Sequence, residues 1–143
     1  MAMTRQLCTF TVGDLRLGVD VGDVREVLRR QPTTPVPLAH DDVAGLINLR
    51  GEIVTALDLR RRFDLPPADR EYHMNVVLVT EEEPVSLVVD SIGEVVTVSE
   101  DDFERPPDTA SAATATLIVG AYKLEGQLLL LLDTAKALAT ASV

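Results

Sequence analysis

The stretch GLINLRGEIVTALDL, residues 45–59, constrains the fold of this chain more than any other segment. Asn48 lies between two apolar residues, with the two-residue period of a strand. Gly51 can adopt the positive φ that a tight turn requires. The apolar residues that follow lead to Asp58, whose carboxylate can cap the first turn of a short helix. The stretch therefore predicts a β-hairpin whose second strand runs into a helix.

The same arrangement returns near the C-terminus, at residues 120–133. Each copy has two glycines six positions apart, a leucine two positions before the second glycine, and a Leu-Asp pair six and seven positions after it. The glycines are Gly45 and Gly51 in the first copy, and Gly120 and Gly126 in the second. Upstream, residues 17–20 and 87–90 also match. One strand series that occurs twice predicts two related β subdomains.

Short apolar segments and repeated turn signals indicate about ten strands and little helix. We therefore assign the chain to the all-β class, with two small barrels packed together. Its 143 residues suit one ordinary domain or two very small ones. We treat residues 1–143 as one domain with approximate subdomains 1–66 and 67–143, between which terminal strands can cross over. The polar residues 99–116 are expected to form a mobile loop.

Composition limits the classes of molecule that this chain is expected to bind. The chain has 13 basic and 23 acidic residues and a net charge of −10, which disfavours binding to nucleic acid or to anionic lipid. Cys8 is the single cysteine, so neither an internal disulfide nor a cysteine-based metal site is expected. The sequence shows neither a signal-peptide pattern nor an apolar run of transmembrane length. We expect a cytoplasmic protein without direct membrane insertion, whose partners are other proteins.

The sequence contains little that would indicate an enzyme active site. His40 and His73 lack neighbouring ligands at metal-binding spacing, and the common catalytic and phosphate-binding motifs are absent. The acidic runs at 81–83 and 100–102 lie at expected turns, where solvation is the simpler interpretation. The arginines at 60–62 are expected to form surface or inter-subdomain pairs. We therefore expect no catalytic residue, metal or cofactor, and we keep a small ligand-binding barrel that uses the acidic runs as the alternative.

Arg50 stands out because it lies at the tip of the predicted hairpin, beside Gly51. It can pair with a carboxylate of its own fold, such as Asp58, or it can order the surface between the subdomains and contact a partner. A planar guanidinium can do both through paired hydrogen bonds. The residues alone leave the two interpretations open.

Six segments, taken in order, resemble the CheW family of bacterial chemotaxis adaptors. The most specific is the hairpin at 45–51, and the others lie at 13–20, 24–27, 58–63, 88–95 and 120–126. The resemblance covers nearly the whole chain. It implies two intertwined SH3-like five-stranded β-barrel subdomains with a few short helices, in agreement with the repeat.

The resemblance also implies a function. Such a protein is a noncatalytic scaffold that couples the cytoplasmic tip of a chemoreceptor to the regulatory domain of the histidine kinase CheA, at membrane-associated receptor arrays. It implies a receptor-binding groove between the subdomains, to which apolar side chains and one charged pair would be suited. The implied groove residues are Val24, Glu26, Arg50, Val76 and Val95.

The chain departs from the family pattern in three places. Thr55 stands where proline is usual, Ser86 stands where glycine is usual, and residues 117–119 replace an aromatic and basic pair. The third departure bears on which kinase or receptor the protein meets. The alternative within the family is an adaptor of a non-chemotaxis system, such as pilus motility, which the sequence does not separate from chemotaxis.

Overall fold

A computed structural model describes residues 3–67, 73–106 and 111–139 of the chain. The described ranges are mostly strand. The strands are β1 (Thr4–Val12), β2 (Leu15–Asp20), β3 (Val24–Arg29), β4 (Val43–Leu49), β5 (Glu52–Asp58), β6 (Met74–Leu78), β7 (Val85–Val89), β8 (Ser91–Ser99), β9 (Phe103–Glu104), β10 (Ile118–Leu124) and β11 (Gln127–Leu132). The short helices are α1 (Leu59–Arg62), α2 (Ala112–Leu117) and α3 (Thr134–Ala137).

The strands form two sheets that share one plan. Sheet A has the order β8-β1-β2-β11-β10-β9, and sheet B has the order β3-β6-β7-β5-β4. Each contains one parallel pair, β2 with β11 in sheet A and β7 with β5 in sheet B. The other neighbours within each sheet run antiparallel. The all-β class and the repeated strand series predicted from the sequence are confirmed.

Both predicted hairpins are present, and each runs into a helix. Strands β4 and β5 pair through Leu49 and Glu52, and strands β10 and β11 pair through Leu124 and Gln127. Asp58 then caps α1 by accepting a hydrogen bond from the Arg60 amide at 3.0 Å. Asp133 caps α3 in the same way. The predicted capping role of Asp58 is confirmed.

The two sheets are intertwined because the chain changes sheet twice, at equivalent points. After β2 of sheet A, a 3-10 turn at Val21–Asp23 leads into β3 of sheet B. After β7 of sheet B, Asp90 leads into β8 of sheet A. A boundary at residue 66 does not separate the sheets, because β1 and β2 pair in the sheet that holds the C-terminal strands.

In each sheet, a short segment that follows one edge strand along the chain pairs near the opposite edge of the same sheet. In sheet A, β9 follows β8 along the chain and pairs with β10 at the far edge. In sheet B, Thr34 follows β3 and bridges to Leu46 of β4. A Cβ built on Gly45 would lie 2.4 Å from the Thr34 carbonyl oxygen, and one built on Gly120 would lie 2.5 Å from the Glu104 carbonyl oxygen. The repeated glycine therefore leaves room for the bridging strand.

Three apolar clusters follow from this plan. One cluster, which includes Leu7, Tyr122 and Leu129, is made of sheet A residues, and another, which includes Ile47 and Val77, is made of sheet B residues. A larger inter-sheet core joins both sheets. Along β11, Leu129 and Leu131 face the first cluster, whereas Leu130 and Leu132 face the inter-sheet core. An uninterrupted apolar strand is required because both of its faces are buried.

The expectation of a mobile loop at 99–116 is wrong for the described part of that segment. A 3-10 turn at Glu100–Asp102 leads into β9, and α2 begins at Ala112. Ser111 caps α2, because its hydroxyl accepts a hydrogen bond from the Thr114 amide at 3.1 Å. Residues 107–110 of this segment lie outside the described ranges.

Candidate protein-interaction site

The turn between β4 and β5 holds Arg50 in an unusual backbone conformation. Leu49 pairs with Glu52, so Arg50 and Gly51 are the two central residues of the turn. Their φ angles are 53° and 89°, which is the type I′ geometry that suits the twist of a hairpin. Asn48 supports the turn, because its Oδ1 accepts a hydrogen bond from the Gly51 amide at 2.9 Å. An arginine at this position is disfavoured, since left-handed backbone crowds its Cβ.

A four-residue ionic network surrounds this turn. Arg50 Nη2 lies 2.6 Å from Glu26 Oε2, and Arg25 Nη1 lies 2.5 Å from Glu52 Oε1. Arg25 Nε also lies 3.4 Å from Glu26. Since β3 and β4 are the two edges of sheet B, the network joins strands that lie apart in the sheet order. The hydrogen bond from Arg50 lowers the pKa of Glu26, so the pair stays charged near neutral pH.

The suggested pairing of Arg50 with Asp58 is wrong. Asp58 is occupied by the cap of α1 and lies 3.8 Å from Arg61, whereas Arg50 bonds to Glu26. Two of the five residues implied for the groove are therefore in direct contact. Their network partners Arg25 and Glu52 were missed, because nothing in the sequence indicates that β3 meets the turn after β4.

The valines implied for the groove occupy different environments. Val76 does not lie on the surface, because its side chain is fully buried in the inter-sheet core. Val24 is partly buried and packs against the same core. Val27, which pairs with Val76 across β3 and β6, is 38% exposed and was missed. Val76 can therefore influence a surface only through the strand that it supports.

Val95 lies on the other sheet. It is on β8, pairs with Cys8 of β1 and is 57% exposed. The implied site therefore combines an exposed apolar residue of sheet A with the charged pair of sheet B. Strand β8 begins directly after Asp90, where the chain crosses between the sheets.

The arginines at 60–62 face inward onto the protein. Arg60 forms a bidentate pair with Asp90, Arg61 donates to the Asp41 carbonyl at 2.6 Å, and Arg62 donates to the Lys136 carbonyl at 2.6 Å. The prediction that these arginines form pairs within the fold is confirmed.

The Nδ1 atom of His40 accepts a hydrogen bond from the Asp42 amide at 3.1 Å, as expected for a loop histidine. Within residues 3–67, 73–106 and 111–139, no three His, Cys, Asp or Glu side chains come together as a metal site would require. In the same ranges, no helix has the length and apolar character needed to cross a bilayer.

Comparisons with known proteins identify the family of the chain. The family model for the CheW-like domain matches residues 6–142. Chemotaxis protein CheW of Treponema pallidum is 32% identical over 136 residues, which cover 92% of this chain and 80% of that protein. Chemotaxis protein CheW of Rhizobium meliloti is 33% identical over 130 residues, which cover 90% of this chain and 84% of that protein.

The fold also matches a solved structure. The crystal structure of the scaffolding protein TtCheW from Thermoanaerobacter tengcongensis superimposes with a TM-score of 0.81 at 25% identity, over 92% of this chain and 90% of that one. The match agrees with the resemblance found in the hairpin and strand motifs. On the match to the family model, the identity to CheW proteins and the shared fold, the chain belongs to the CheW-like family of noncatalytic scaffold proteins.

Proposed function

We propose that this protein is an adaptor that couples the cytoplasmic tip of a chemoreceptor, a methyl-accepting chemotaxis protein, to the regulatory domain of the histidine kinase CheA. It would act in the cytoplasm, at membrane-associated receptor arrays. The observation that carries the proposal is the Glu26–Arg50 pair, held on a strained turn at the protein surface.

Stability does not account for this arrangement. Arg50 adopts a left-handed backbone that costs free energy for any residue with a Cβ. Its side chain is 66% exposed, and ion pairs in water contribute little to folding. In the second hairpin, Gly126 has a φ of 77° while Glu125 is not among the residues with positive φ. Of the two repeated hairpins, the one between β4 and β5 therefore carries a strained charged residue and the one between β10 and β11 does not; backbone strain of this kind is found at functional positions.

The chemistry of the surface suits a helical protein partner. A guanidinium held by one carboxylate keeps further donors for a second acceptor. Val95 and Val27 add exposed apolar area, and a combination of apolar anchors with an arginine is common where a helix binds in a groove. The names of the relatives support the pathway, since they are chemotaxis proteins and one is a scaffolding protein.

The proposal is tested by binding of the purified protein to a receptor cytoplasmic fragment and, separately, to a CheA regulatory domain, both from the same organism. We expect the wild-type chain to bind both. Arg50→Ala and Val95→Lys are expected to abolish receptor binding while the chain remains folded. Matched controls are Arg29→Ala, an exposed arginine of β3, and Val119→Lys, an exposed valine of β10.

Two results would contradict the proposal. If the folded Arg50→Ala and Val95→Lys variants bind the receptor fragment normally, this surface is not the receptor-binding site. Binding of the wild-type chain to neither probe would move the function to a different motility or signalling system.

A further inference from the structure

A three-way junction at Asp90 links the two sheets at the point where the chain passes between them. Asp90 Oδ1 accepts a hydrogen bond from Arg60 Nε at 2.8 Å, and Oδ2 accepts one from Arg60 Nη2 at 2.7 Å. Oδ2 also accepts one from the Gly13 amide at 2.7 Å. The Asp90 amide donates to the Thr11 carbonyl at 2.9 Å. One residue therefore contacts α1, which follows sheet B, and the β1–β2 hairpin of sheet A.

The hydrogen bonds at the Asp90 junction depend on direction, whereas the apolar packing of the inter-sheet core does not. The inter-sheet core is apolar, and apolar burial has no preferred direction. A forked arginine–carboxylate pair, in contrast, restricts both distance and angle. Arg60 is itself held, since its Nη1 donates to the Pro66 carbonyl at 2.7 Å. The hydrogen bonds from Arg60 also lower the pKa of Asp90, in keeping with a permanently charged pair.

The equivalent residue at the other crossover lacks this arrangement. Asp20 ends β2, as Asp90 follows β7. Its carboxylate accepts hydrogen bonds from the Gly22 amide at 2.9 Å and from Arg5 Nη2 at 3.3 Å. Arg5 belongs to β1 of sheet A, and Gly22 belongs to the adjoining turn. These contacts of Asp20 stay within sheet A and the adjoining turn, whereas those of Asp90 connect the sheets.

We infer that Asp90 is a positioning residue for the partner-binding surface. Asp90 fixes the position at which β8 begins, and Val95 lies on β8 five residues after Asp90. Arg60 follows β5, which forms the hairpin that carries Arg50. The Arg60–Asp90 pair thus sets the separation between Val95 and the Glu26–Arg50 pair. This inference rests on the proposed function, because it assumes that both parts of the surface meet one partner.

Asp90→Asn tests the inference, because asparagine keeps the shape of the side chain and removes its charge. Asp20→Asn is the matched control. Spin labels at Arg29→Cys on β3 and Thr97→Cys on β8, in a Cys8→Ala background, report the distance between the sheets. For Asp90→Asn we expect the distance distribution to shift or broaden by more than about 2 Å. We also expect the affinity for the receptor fragment to fall about tenfold.

For Asp20→Asn we expect the distance distribution and the affinity for the receptor fragment to match those of the parent protein. If Asp90→Asn fails to fold, Arg60→Lys serves instead, because it keeps the charge and loses the fork. A normal distance distribution in folded Asp90→Asn would overturn the inference, whether or not affinity fell. So would a changed distribution with full affinity. Arg50→Ala is measured in parallel: if it retains receptor binding, the assignment of the receptor-binding surface fails, whereas loss of binding in Arg50→Ala with normal binding in Asp90→Asn rejects the positioning role alone.

Discussion

The Arg50 guanidinium lies 2.6 Å from the Glu26 carboxylate, across the gap between the two edge strands of sheet B. Sheet A has a counterpart, since the hydroxyl of Tyr122 on β10 donates to Glu100, in the turn after β8, at 3.0 Å. Tyr122 is fully buried, so its contact serves the core, whereas Arg50 is mostly exposed. The two copies of the fold therefore join their strands by different contacts: a buried hydroxyl serves stability in sheet A, and an exposed ion pair, which we propose for recognition, lies in sheet B.

Replacing Arg50 with asparagine is expected to separate these roles. Asparagine tolerates the left-handed backbone better than arginine, which offsets the loss of an exposed ion pair. We expect the melting temperature of Arg50→Asn to stay within about 3 °C of the parent, while binding to the receptor fragment is lost. Thermal unfolding and calorimetric titration measure the two quantities. A large fall in melting temperature would instead make Arg50 a structural residue.

Much of the fold could be predicted because the repeat is encoded locally. The spacing of Gly45 and Gly51, and the position of Asp58, specify a hairpin and a helix start within one short segment. The crossing of β3 and β8 into opposite sheets could not be predicted from these patterns, since pairing partners far apart in the chain leave no local signal. Strand alternation likewise does not distinguish a core valine such as Val76 from a surface valine such as Val95.

The same reasoning explains which parts of the site were found. Arg50 is indicated by its place at a tight turn, and Glu26 was reached only through resemblance. Arg25 and Glu52 come into contact because two edges of one sheet approach each other, which only the assembled sheet reveals. The capping role of Asp58, by contrast, follows from short-range sequence and is present. The sequence predicts that Arg60 forms a pair, but it does not indicate that Asp90 is the partner.

Gly45→Ala and Gly120→Ala are expected to be severely destabilising. The new methyl group would lie 2.4 Å from the Thr34 carbonyl oxygen in the first case, and 2.3 Å from the Phe103 ring in the second. Gly45 also has a φ of 148°. We expect losses of about 3 kcal/mol or more for each, from overpacking at both positions and from backbone strain as well at Gly45. Urea unfolding measures the free energy of unfolding.

Gly126→Ala is the control for those substitutions. Its φ is 77°, but a Cβ there would meet nothing within 4 Å, so backbone strain alone should cost about 1 kcal/mol. Equal losses in Gly126→Ala and Gly45→Ala would show that the bridging strand does not approach as closely as described.

Leu38→Asn is expected to stabilise the protein. Leu38 is fully exposed and has a φ of 65°. It follows Pro37 in a turn in which the Ala39 amide donates to the Val36 carbonyl at 3.4 Å. The third position of such a turn favours glycine or asparagine. We expect a gain of about 1 kcal/mol in the free energy of unfolding, measured in urea. Unchanged or reduced stability would show that the leucine makes contacts that offset its strain.

The Arg60–Asp90 pair should make stability depend on pH in the acid range. Hydrogen bonds from Arg60 lower the pKa of Asp90 below its ordinary value, so the folded state holds the charged carboxylate more favourably than the unfolded chain does. That contribution is present above the unfolded pKa of an aspartate, about 3.9, and is lost as pH falls through the lower folded value. We therefore expect the stability difference between the parent and Asp90→Asn to be constant from about pH 7 to pH 5. It should shrink as pH falls below about 4.

Urea unfolding at a series of pH values measures that difference. The Asp20→Asn variant, whose carboxylate has a single longer arginine contact, provides the comparison. A difference that persists undiminished at the lowest pH would show that the charge of Asp90 is not what Asp90→Asn removes.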